Sequence, residues 1–191
     1  MQRLAPIVLL LAVSAGTWPY AISSYLMHRE EIMIQVADIV DAVALPYRIA
    51  KLSQQPRDEA LPIPIRDVLK RDIYDSWGGP RSGGRSHEGT DIFAARGTPV
   101  YAVADGYVLR TGTNTLGGIF VFTIGAGGVR YYYAHLDRIA EGIEMGTPVT
   151  PDTVLGFVGN TGNAESTDPH LHLGMYARGG AQNPYPYLVD R

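Results

Sequence analysis

Four of the five histidines fall after residue 86, each in a local sequence whose residue types could do chemistry. The settings are His87-Glu88-Gly89-Thr90-Asp91, Tyr133-Ala134-His135-Leu136 and Pro169-His170-Leu171-His172-Leu173. On a β-strand, residues i and i+2 point to the same face, so His170 and His172 can enter one pocket together. His87 and Asp91 are separated by Gly89 and can converge if the backbone turns between them. Three nitrogen and oxygen donors with a vacant fourth position describe a catalytic zinc site, where a structural site would be closed. The chain has no cysteine, which excludes a closed thiolate zinc site, a cysteine nucleophile and disulfides.

Those histidines need rigid elements to hold them, and the texture of the chain after Trp77 supplies a pattern. Short apolar runs alternate with glycine at roughly the 8–12-residue spacing of an all-β sandwich or barrel. Candidate strands are Pro99 to Val103, Gly106 to Thr111, Ile119 to Ile124, Val129 to His135, Val154 to Val158 and His170 to Tyr176. Gly127-Gly128 between two of these runs is a hairpin signal. Of the 22 glycines, only Gly16 precedes Gly78, so the chain holds two kinds of structure.

The first part reads differently. Leu4 to Met27 carries no charged residue and is long enough to cross a hydrocarbon core as a helix. Arg3 before it, and Ser14-Ala15-Gly16 after the apolar block Ile7 to Val13, equally fit a cleaved signal peptide. Either reading exports the remainder of the chain. From Glu30 to Leu45, Ile32, Val36, Ile39, Val40 and Val43 recur at helical spacing, and Pro46 is expected to end that helix. Gln54 to Pro64 holds three prolines among charged residues and reads as a linker, within which Leu61 to Ile65 could dock as an edge strand. The expected organisation is a signal peptide or membrane anchor over 1–27, a helical stalk and linker over 28–76, and a β domain over 77–190.

Composition limits the partners. At 191 residues with 46% hydrophobic and 18% charged content, the chain can close a core, and its size excludes a large multidomain enzyme. The formal net charge of −3 provides no basic footprint for nucleic acid.

The three histidine motifs, H-x-G-x-D, Y-x-H-L and H-L-H, occur in that order with a Gly159-Asn160-Thr161-Gly162 turn before the last. In this they resemble the lysostaphin-like (LytM-like) zinc metallopeptidases, which cut peptide bonds in peptidoglycan. The resemblance covers about Trp77 to Leu188. It implies a glycine-rich antiparallel β-sandwich, one Zn²⁺ per chain bound by His87, Asp91 and His172, and unligated His135 and His170 beside it as catalytic groups. Which of the two takes the proton of the attacking water and which donates to the oxyanion stays open. The implied substrate is the peptide stems of peptidoglycan, and the implied location is the cell envelope, with a periplasmic domain anchored at the inner membrane or released. Two departures from the family pattern, Ser166-Thr167-Asp168-Pro169 and Leu173-Gly174, touch no implied ligand but bear on the groove walls and so on the bond cut.

Two function classes are compatible with these residues: a zinc endopeptidase, or a noncatalytic relative that binds envelope partners and activates another hydrolase. The presence of all five site residues favours the first. A carbohydrate-binding sandwich with an incidental metal would not need two unligated histidines. Arg81 and Arg85, flanking Gly83-Gly84, have solvation as their ordinary role and contact with substrate carboxylates as the alternative. Glu88 reads as a solvated acid, and Tyr131 to Tyr133 as alternating between core and surface.

Overall fold

The computed structural model describes His28 and residues 44–191. The expected membrane segment or signal peptide and nearly all of the helix expected over Glu30 to Leu45 lie outside the described residues. Among the described residues no helix is long and apolar enough to cross a membrane. The chain divides into a unit Met1–Pro46 and a unit Tyr47–Arg191, and the second carries the histidine motifs.

Residues 44–53 are helical, so Pro46 does not terminate the helix as expected. The helix stops before Gln54-Gln55-Pro56, where the residue preceding proline is biased away from helical geometry. In its last turn the Ser53 hydroxyl donates to the Ile49 carbonyl at 2.8 Å.

The rest of the unit is β structure with short 3-10 turns. Its thirteen strands are, in order, β1 Leu61–Pro62, β2 Pro80–Arg81, β3 Arg85–Ser86, β4 Thr90–Phe93, β5 Pro99–Tyr101, β6 Gly106–Asn114, β7 Gly118–Gly125, β8 Arg130–Ile139, β9 Pro148–Val149, β10 Val154–Val158, β11 His170–Ala177, β12 Gly180–Gln182 and β13 Leu188–Val189. All six expected strands are present. The β7–β8 hairpin turns at Ala126–Gly128, with Gly127 and Gly128 at φ 67° and 69°, a conformation that glycine adopts without a Cβ clash.

The expected antiparallel, sheet-rich fold is built on one branched, hydrogen-bonded system of nine strands, beside the two-stranded pairs β1-β13 and β2-β3. Its main path runs β12-β11-β8-β7-β6-β9, while β4 pairs with β11, and β10 pairs with both β5 and β8. The branching has a local cause. Strand β8 is ten residues long; Arg130 to Ala134 pair with β11, and Leu136 to Ile139 pair with β10. One strand therefore belongs to two branches, and every pairing in this system is antiparallel.

Residues 54–64 are not wholly a linker, and the β domain starts before Trp77. Leu61, Ile63 and Ile65 are buried, alternating with the two prolines. Strand β1 pairs in parallel with β13, and Ile63 N–H donates to the Val189 carbonyl at 3.0 Å. Proline lacks the N–H that a central strand must donate, so this docking at a two-stranded edge is the form such a segment allows. The three side chains join a core with Val100, Val108, Val121, Tyr131, Tyr133, Leu155, Leu171 and Leu173. Each buried aliphatic side chain contributes roughly 1.5–3 kcal/mol relative to exposure.

Candidate metal centre

Three elements bring His87, Asp91 and His172 together. Strand β11 places Leu171 and Leu173 in the core and turns His170 and His172 to the opposite face, as period-two alternation requires. Strand β4 does the same with Thr90 and Ile92 inward, and its Asp91 lies directly opposite His172 in the antiparallel register. His87 comes directly after the β2–β3 hairpin. Its N–H donates to the Gly79 carbonyl at 2.8 Å and its carbonyl accepts from Gly78 N–H at 2.9 Å, which fixes the backbone. Gly89 lets this segment pass close to the cluster: a Cβ there would fall 2.4 Å from His172 Cε1 and 2.7 Å from the Leu173 carbonyl oxygen.

The result is a compact triangle. His172 Nδ1 is 2.9 Å from Asp91 Oδ1, His87 Nε2 is 3.1 Å from the same oxygen, and the two nitrogens are 3.0 Å apart. His87 Nδ1 lies 3.0 Å from both the carbonyl oxygen and the hydroxyl of Ser76. A carbonyl only accepts, so Nδ1 carries the proton and Nε2 presents a lone pair to the triangle. His172 Nδ1 can supply at most one proton between the three atoms, which leaves His87 Nε2 facing a carboxylate oxygen without a donor. A divalent cation resolves that conflict, because all three atoms then direct lone pairs at it. Ligand atoms of a tetrahedral zinc site with bonds of about 2.0–2.1 Å lie roughly 3.3 Å apart, close to the spacings here. The donor set fits the metal.

Charge supports the same state. Burial alone would raise the Asp91 pKa, but the neighbouring His172 and His87 rings and the Arg81 guanidinium hold it far below the ordinary carboxylate range. Arg81 reaches the second oxygen, Oδ2, leaving Oδ1 for the triangle. Burial pushes the His172 pKa down, against the pull of Asp91. A neutral imidazole beside an ionised carboxylate is the protonation state a metal needs.

His135 and His170 are brought to the same place, with ring centroids 5.0 Å apart. His135 lies 5.9 Å, centroid to centroid, from His172. His135 is one of two non-glycine residues with positive φ among the described residues, at 61°. On β7, Ile119 pairs with Leu136 and Val121 with Tyr133, so β8 has one residue more than its partner. This β-bulge is what aims His135 into the groove. Its N–H donates to the Gly117 carbonyl at 2.7 Å, and its Nδ1 lies 2.8 Å from the Thr161 carbonyl. His170 Nδ1 lies 2.8 Å from the Asp168 carbonyl. Both rings thus carry the proton on Nδ1 and keep a free lone pair on Nε2. Burial pushes the His135 pKa down to about 4, against the Thr161 hydrogen bond, so the ring is neutral at neutral pH.

The groove beside the triangle has a volume of about 540 Å³ and is walled by Phe122, Tyr132 and Tyr176, with Glu88 and Asn114 among its polar groups. Tyr131 and Tyr133 are buried while Tyr132 lines the groove, so the tyrosine run alternates as expected. Two residues that shape the site have no role assigned to them from the sequence. Ser76 sets the tautomer of His87, and Thr161, within the Gly-Asn-Thr-Gly turn, orients His135 through its carbonyl. The Thr161 hydroxyl also donates to the Leu136 carbonyl at 2.8 Å and accepts from Ile119 N–H at 2.9 Å. Nothing in its spacing singles out Ser76, and Thr161 is marked only as a member of that turn.

A His/Asp/His triangle with two unligated histidines, held on a branched antiparallel sheet, defines a hydrolase site able to hold one metal ion. Residues 85–184 match the model of peptidase family M23, and the chain belongs to that family. It is 40% identical over 142 residues to the L-Ala–D-Glu endopeptidase of Bacillus subtilis, an alignment covering 69% of this chain and 43% of that protein. Of solved structures, the catalytic domain of lysostaphin from Staphylococcus simulans superposes with a TM-score of 0.54 at 30% identity, over 60% of this chain and 90% of that one. A zinc-containing peptidase from Vibrio cholerae gives a TM-score of 0.54 at 25% identity, over 64% of this chain and 38% of that one. The chain spans less than half the length of the curated relatives it matches.

Proposed function

We propose that this chain is a zinc-dependent endopeptidase that hydrolyses peptide bonds of bacterial peptidoglycan, with the cross-links between stem peptides as its target. The observation that carries this reading is the coexistence, in one groove, of a metal-fitting triangle and two further histidines whose free Nε2 atoms are not needed to complete it. Zinc, when bound by His87, Asp91 and His172, supplies Lewis acidity toward a carbonyl and lowers the pKa of water from 15.7 toward about 7. The chain's own residues do the rest. His135 or His170 can take up the proton of the attacking water at Nε2 and return it to the departing amine, and the other, when it too carries a proton at Nε2, can donate to the developing oxyanion. Glycosidic hydrolysis usually needs two facing carboxyl groups. Here Asp91 is committed to the triangle, leaving Glu88 alone.

Digestion of purified peptidoglycan by the zinc-loaded chain should convert cross-linked dimers to monomeric muropeptides with stems still attached to their sugars, and a chelator should stop it. Mass analysis of the fragments reads the result. Release of intact free stem peptides would mean an amidase and would overturn the assignment. A second bond is favoured by the similarity to the Bacillus subtilis enzyme. Cleavage between L-alanine and D-glutamate would leave single alanines on the glycan.

The proposed site of action is the cell envelope, on the periplasmic side, with the domain anchored at the inner membrane or released after cleavage. The uncharged run Leu4 to Met27 supports it. A reporter active only in the cytoplasm, fused after Arg191, should be silent. A working reporter there would overturn the location.

A further inference from the structure

A second cavity, about 230 Å³, is lined by Arg81, Arg85, Asn163, Thr167 and both His135 and His170. The two arginines border both cavities, but Glu88 borders only the first. The second cavity therefore has cationic and neutral walls with no carboxylate among its lining residues. Its two arginines are not equivalent. Arg81 is engaged by Asp91 Oδ2 and serves the metal ligand. Arg85 has no acidic partner among the described residues; its Nε donates to the Ser82 carbonyl at 3.2 Å and its Nη2 to the Ser82 hydroxyl at 3.3 Å. Both contacts use the Nε/Nη2 edge of the guanidinium. They brace the side chain across the hairpin and leave the Nη1/Nη2 edge, with two parallel donors, open. That edge matches a carboxylate bidentately.

We propose that Arg85 is a specificity-determining residue that reads a free carboxylate of the peptide on the His135–His170 side of the scissile bond. The inference rests on the peptidase reading above. It makes peptides with an anionic residue on that side the preferred substrate class. The bracing by Ser82 lowers the ordering cost that normally erodes an exposed ion pair.

The test uses the full zinc-loaded chain and two probes: a cross-linked stem-peptide dimer with free carboxylates, and the same dimer with those groups converted to carboxamides. The free acid should be preferred about tenfold in kcat/KM, with the difference carried by KM. In Arg85→Gln, checked for unchanged zinc content, the ratio should fall to near one, while Arg85→Lys should keep part of it. Binding of both probes is read separately in His135→Ala. Hydrolysis without a carboxylate preference, or a preference that survives Arg85→Gln, overturns this inference and leaves the peptidase reading standing. Carboxylate-selective binding without hydrolysis by the unmodified chain does the reverse, and neither hydrolysis nor selective binding overturns both.

Discussion

His172→Ala should leave the chain unable to retain zinc and without measurable digestion of peptidoglycan. In the proposed site His172 is one of three ligands, its Nδ1 2.9 Å from Asp91 Oδ1 and 3.0 Å from His87 Nε2. Two remaining ligands do not hold the ion against competition from water. The fold should survive, because the alanine replaces a side chain on the groove face of β11, while Leu171 and Leu173 on the other face keep their core packing. Metal analysis after dialysis, beside circular dichroism, reads both parts. A His172→Ala chain that stays zinc-replete would refute the ligand assignment.

His135→Ala should behave in the opposite way with respect to metal. It should keep one zinc per chain and lose roughly 10²- to 10⁴-fold in turnover, the usual contribution of a positioned acid–base group. The separation is expected because His135 is outside the triangle and is held by the Thr161 and Gly117 carbonyls, not by any of the three ligands. Relief of the positive φ at this position, which costs most residues of order 1 kcal/mol, makes glycine the informative control. His135→Gly should resemble His135→Ala in turnover while being at least as stable in thermal denaturation. Comparable zinc contents with unaltered turnover in His135→Ala would remove this residue from the chemistry.

The candidate metal-binding residues and six of the thirteen strands, including the four longest, were legible in the linear chain. Residue type limits what can hold a metal: without cysteine, only histidine and carboxylate remain, and the three motifs concentrate them. Strand periodicity is a local property, so His170 and His172 share a face wherever β11 lies, and the glycine punctuation marks the turns that separate the strands. The branched sheet was not legible, because pairing partners are chosen by contacts distant along the chain. Nor was the membership of Leu61, Ile63 and Ile65 in the core, because their prolines carry a linker's composition while their burial depends on β13, more than a hundred residues later.

His135 shows the difference most sharply. Strict alternation along β8 would place it on the same face as Tyr131 and Tyr133, in the core, with Leu136 facing the groove. The observed order is the reverse: His135 lines the groove, and Leu136 is buried. One extra residue in β8, opposite Ile119 to Val121, shifts the phase at this point, with His135 itself in the left-handed region. A bulge depends on the register of two neighbouring strands, β7 on one side and β10 on the other. No pattern within Tyr131 to Leu136 encodes it; the assembled sheet alone turns this histidine toward the metal site.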